Sequence, residues 1–148
     1  MTPKLSPDLT SGFDPLDSQH QPLLDRLDAA IASARAGDVA GTRQALATLS
    51  DFLIAHFAAE ELFMAEAAYP ERAPHKTAHD LFIQDFMSLT RELDAGDLTP
   101  RLVHWISERV PGWLKFHIQV NDVPLGRYLA RQRLRSDARP ARDKTGPS

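Results

Sequence analysis

His56 and Glu60 stand four residues apart, and so do His75 and His79. On an α-helix, side chains at i and i+4 lie one above the other, so each pair shares a helix face. Apolar residues occupy the same faces: Leu49, Leu53 and Phe63 or Met64 beside the first pair, Phe82 and Phe86 beside the second. Three imidazoles and a carboxylate therefore point where a core is expected. Bare polar groups are costly there. One partner that holds several of them at once removes the cost, and a metal ion is the simplest such partner.

Two more histidines, His20 and His117, fall on apolar stripes, and Asp122 follows His117 by five residues. Seven groups are too many for one ion. Two octahedral ions offer twelve positions between them. Five imidazoles fill five, two bridging carboxylates fill four, and a bridging hydroxide or oxide fills two. One position stays open for a small molecule. Imidazole with carboxylate suits a borderline transition metal such as iron.

Four helices are needed to carry these groups. The first is expected from Pro15 or Ser18 to Ala36, stopped by Gly37, with Leu23 or Leu24, Leu27 and Ile31 as its stripe. Ser18 and Gln21 have the spacing of a capping box. Pro22 makes this helix begin late or kink beside His20. The second runs from Val39 to Ala67 with Leu46, Leu49, Leu53, His56, Glu60 and Phe63 or Met64 at regular three-and-four spacing. The third opens at Pro74 and reaches Ala95; its stripe is His75, His79, Phe82, Phe86, Leu89 and Leu93. The fourth opens near Pro100 and carries Leu102, Ile106, Val110, Trp113 or Leu114, and His117. Pro111 is expected to kink it, and Pro124 to break it before a last short turn. The fold class is all-α, an antiparallel up-down-up-down four-helix bundle over residues 15–130. An extended arm (residues 1–14) precedes it, with Leu5, Leu9 or Phe13 packing on the body. A basic, disordered tail (residues 131–148) follows.

Composition narrows the chemistry. There are 148 residues and no cysteine, which excludes disulfides, iron–sulfur clusters and thiol catalysis. A formal net charge of -3 argues against a general nucleic-acid or membrane partner. Neither a signal peptide nor a bilayer-spanning run is visible, so a cytoplasmic location is the expectation.

The joint pattern resembles one family. H-F-A-A-E-E followed by Y-P, then H-K-T-A-H, then W-L-K-F-H-I-Q-V-N-D, is similar to the hemerythrins, and D-S-Q-H-Q-P-L resembles their first-helix histidine segment. The resemblance covers residues 14–130. It implies two iron ions bridged by oxo or hydroxo, Glu60 and Asp122. It implies that His75, His79 and His117 hold the filled iron, and that His20 and His56 hold the one with the vacancy. It further implies reversible O2 binding for carriage, storage or delivery, without enzymatic turnover. An apolar pocket wall is expected from Leu23, Leu24, Phe57, Trp113, Leu114 and Ile118, each within about a turn of a ligand.

Other functions were open to these residues. A diiron enzyme reducing O2, peroxide or nitric oxide can use the same ligands, and so can an O2 or redox sensor that contacts a separate protein through the basic tail. Ferritin-like oxidases are disfavoured, because the Glu-x-x-His pairs they use on two helices are missing here. Glu61 and His104 fall off the stripes and read as surface groups. Phe63, Met64, Phe82 and Phe86 read as plain core.

Overall fold

The computed structural model describes residues 7–138. A 3-10 turn, Pro7–Leu9, leads into a single helical turn, α1 (Asp14–Asp17). Three long helices follow: α2 (His20–Arg35), α3 (Val39–Glu66) and α4 (Arg72–Ala95). The fourth is a continuous rod of three α-segments: α5 (Pro100–His104), α6 (Val110–His117) and α7 (Val123–Ala138). Wide π-turns, Trp105–Arg109 and Ile118–Asp122, join them. The fold is the expected four-helix bundle, with no strand among the described residues.

Short connections set the up-down order. Gly37, at φ 73, terminates α2 in the left-handed conformation that glycine adopts freely. The Asp38 side chain accepts from Gly41 N–H to start α3, and the Thr99 side chain accepts from Leu102 N–H to start α5. The apolar stripes then close on one another. Leu23, Leu27, Ile31, Leu46, Leu49, Leu53, Phe82, Phe86, Leu89 and Leu102 are all buried in one cluster. A second cluster, Phe13, Leu16, Met64, Leu125 and Leu129, seals the other end.

Several local expectations are revised. The first helix divides into α1 and α2, and Pro22 sits in the first turn of α2, where its missing N–H would be unpaired anyway. No capping box forms at Ser18, because Gln19 precedes the helix and Gln21 donates to Asp25. Pro124 does not break the rod, and the short final turn is a helix reaching Ala138. Residues 131–138, expected as disordered tail, are therefore helical: Leu125 and Leu129 anchor the segment on Met64 and Phe13. The remaining tail and Leu5 lie outside the described residues. Leu9 and Phe13 are buried against the body, within the stretch expected as an extended arm. No described helix is long and apolar enough to cross a membrane.

Candidate metal centre

All seven expected ligands meet between the two apolar clusters, and none is more than 2% exposed. His20 opens α2 and His75 and His79 open α4, while His56 and Glu60 lie toward the end of α3. Antiparallel neighbours bring those ends to one level.

Asp122 reaches the site by a different device. At about 100° per residue, a residue five places after His117 in an α-helix would stand about 140° away from it. The π-turn Ile118–Asp122 closes its bond over five residues, with Val123 N–H donating to the Ile118 carbonyl. His117 and Asp122 thus share a face, and His117 Nε2 lies 3.0 Å from Asp122 Oδ1. Both π-turns end at a Val-Pro pair, Val110-Pro111 and Val123-Pro124. The proline that cannot make the regular bond is absorbed by widening the helix.

The five imidazoles all turn Nε2 inward, toward two carboxylates. Glu60 splits its oxygens: Oε1 lies 2.6 Å from His56, whereas Oε2 lies 2.8 Å from His75 and 2.9 Å from His79. Asp122 does the same: Oδ2 lies 3.1 Å from His20 and 3.6 Å from His56, whereas Oδ1 lies 3.0 Å from His117 and 3.3 Å from His75. Two ligand sets result, Glu60–His75–His79–His117–Asp122 and His20–His56–Glu60–Asp122, each with its donor atoms within 4.8 Å of one another. The carboxylates belong to both.

Protons alone fit this arrangement poorly. His56 Nε2, Glu60 Oε1 and Asp122 Oδ1 are within ion-pair reach of neighbours, yet they are buried without a well-formed hydrogen bond. Such groups are costly, and their lone pairs converge as a metal requires. The residues present fit a cation pair.

The electrostatics point the same way. Burial opposes charge on His56, but the Asp122 and Glu60 carboxylates outweigh it and raise the imidazole to about 10. His117 is raised to about 9 by the same contest, and His75 is raised too. On His79 burial prevails over Glu60, and the neighbouring His117 and His75 add to the lowering. Burial and Asp122 push Glu60 up, but the surrounding imidazoles of His117, His56 and His75 hold it well below the carboxylate range. Asp122 is held down against burial by His117, His20 and His56. The site is built to keep two buried carboxylates ionised opposite positive charge.

Aromatic rings flank His79 and His117. Phe57 stacks on His79 at 4.0 Å, and Trp113 stacks on His117 at 4.7 Å and on Phe82 at 3.8 Å. Leu23, Phe57 and Leu114 join the main core with Trp113 packed against it. Ile118 falls in a separate cluster with Leu9 and Val123, and Leu24 is buried. Glu61 is only partly solvated, its side chain 30% exposed and Oε2 3.7 Å from His79 Nδ1. His104 is exposed as expected. Two polar neighbours escaped the sequence reading: Gln19, whose Oε1 accepts from His56 Nδ1 at 2.6 Å, and Asn121, 3.1 Å from His117 Nδ1. Gln19 reaches a different helix, so no local spacing announces it.

The chain is similar to known proteins. The hemerythrin HHE cation binding domain matches residues 11–122. The bacteriohemerythrin of Stenotrophomonas maltophilia is 31% identical over 116 residues, 78% of this chain and 73% of its own length. A hemerythrin-like protein of Naegleria gruberi is 32% identical over 115 residues, 76% of this chain and 81% of its own. A crystal structure of wild-type hemerythrin has the same fold, with a TM-score of 0.78 at 23% identity over 88% of this chain and 98% of that one.

Proposed function

The chain belongs to the hemerythrin family, and from that footing we propose that it is a non-haem diiron protein that binds O2 reversibly. One observation carries the reading: Glu60 and Asp122 each turn one oxygen toward the His20–His56 pair and the other toward the His75–His79–His117 triad. Two ions held there would both lie within reach of Glu60 and Asp122. The triad side supplies three imidazoles and the pair side two, so the vacancy belongs to the pair side.

When bound, the iron pair supplies the two electrons that O2 takes up reversibly. The chain's part is to hold, orient and keep dry. His20, His56, His75, His79 and His117 present Nε2 inward. Leu23, Leu24, Phe57, Trp113, Leu114 and Ile118 form the wall in this reading, and none of them carries an acid or base. A dry wall without a proton donor slows water arrival and the loss of reduced oxygen, which favours carriage over turnover.

The test is a cycle. O2 is added to the reduced, iron-loaded protein, the visible spectrum is recorded, and O2 is then removed. A coloured adduct that bleaches on removal is expected. Rapid irreversible oxidation, or turnover with peroxide or nitric oxide, would instead indicate an enzyme at the same site.

A further inference from the structure

His56 is distinguished from the other imidazoles by what stands behind it. Its Nδ1–H donates to Gln19 Oε1 at 2.6 Å. Gln19 is itself oriented, because its Nε2 donates to the Pro15 carbonyl at 3.2 Å. A carbonyl accepts and cannot donate, so the amide nitrogen faces Pro15 and the amide oxygen faces His56. That oxygen also only accepts. One proton is therefore held on Nδ1 whether or not Nε2 carries another, and Nε2 is the nitrogen left to face Glu60 and Asp122. No other ligand has this. The Nδ1 atoms of His20, His75 and His79 are buried without a hydrogen bond. His117 Nδ1 meets Asn121 Nδ2, an amide whose side chain has no second hydrogen bond among the described residues.

The turn that carries Gln19 is clamped in its own right. The Asp17 carboxylate accepts from the backbone N–H of Ser11 and Gly12 and from the Ser11 hydroxyl. Ser11 lies against Gly126 of α7, where a Cβ would come within 1.9 Å of the hydroxyl oxygen. The Pro15 carbonyl is thus set by contacts that do not involve the ligands.

We propose that Gln19 is a positioning residue that fixes the tautomer and ring plane of His56 and so governs the ion held by His20 and His56, without governing the ion held by the triad. This rests on the diiron reading above. Through His56, one glutamine outside the ligand set tunes the ion that has the vacancy, and its helix turn also delivers His20. Loss of such an outer hydrogen bond typically weakens a metal about 10- to 100-fold.

The experiment titrates metal-free protein with zinc ions by calorimetry and follows the protein, labelled with 15N in histidine, by NMR. Wild type is expected to take two ions and to show a protonated His56 Nδ1. Gln19→Leu is expected to bind one ion as wild type does and the other about 10- to 100-fold more weakly, with the His56 Nδ1–H signal lost. Gln19→Glu, which keeps an acceptor oxygen, is expected to recover most of that affinity. A purely structural role would instead weaken both ions together and lower the melting temperature of the metal-free protein. That result, or two ions bound by Gln19→Leu as tightly as by wild type, overturns the proposal alone. Wild type taking up fewer than two ions contradicts the diiron reading and the proposal with it.

Discussion

At the scale of single residues, the centre is a set of charges arranged to be exchanged. Metal and proton compete for the same Nε2 atoms. In the metal-free chain, His56 and His117 sit at about 10 and about 9, so both carry a proton at neutral pH. Their raised values stabilise that form of the fold. The contribution is complete below the ordinary histidine value of about 6.5 and is lost as pH rises through about 9 to about 10. Ligation requires both protons to leave. Loading metal at pH 7 should therefore release protons, with His56 and His117 contributing about one each. A weakly buffered solution with an indicator dye measures this; uptake without acidification would show that His56 and His117 are not both protonated in the metal-free chain.

At the scale of elements, the bundle brings six of the proposed ligands together through regular spacing, and the seventh through an irregularity. Leu46, Leu49, Leu53, His56, Glu60 and Met64 follow α-helical spacing and are buried as that spacing requires. The α3 and α4 stripes were legible for that reason. Asp122 obeys a different rule. Its separation from His117 makes sense only once the helix widens, and Pro111 and Pro124 read alone suggested a kink and a break. The repeated Val-Pro pair was the available signal, since proline removes the regular bond and leaves room for a longer one. An alanine inserted between Val120 and Asn121 would carry Asp122 about 100° further round the axis. Iron content should fall below two per chain while the helical circular dichroism is kept. Full iron retention would show that Asp122 is dispensable.

At the scale of the whole molecule, the proposed metal centre lies between two apolar clusters and replaces what would otherwise be core. His20, His56, Glu60, His75, His79, His117 and Asp122 are buried where side chains of the same bundle are otherwise apolar, mostly leucine and phenylalanine. Stability is thereby tied to occupancy, because ions that bind the folded chain add about 2.7 kcal/mol each at a free concentration a hundred times Kd. Chelation should lower the melting temperature of the wild type by several degrees. Glu60→Ala, which removes an acceptor shared by both ligand sets, should melt at the lower temperature with or without added iron. What remained illegible in sequence was tertiary: the Gln19–His56 bond spans two helices, and the helical continuation to Ala138 depends on Leu125 and Leu129 finding Met64 and Phe13.

Diffraction from iron-loaded crystals, collected at the iron absorption edge, addresses the pairing of the ions without reference to activity. Two anomalous peaks are expected, one among His75, His79 and His117 and one beside His20 and His56, with Glu60 and Asp122 reaching both. A single peak, or two peaks with either carboxylate turned away, would contradict the shared centre.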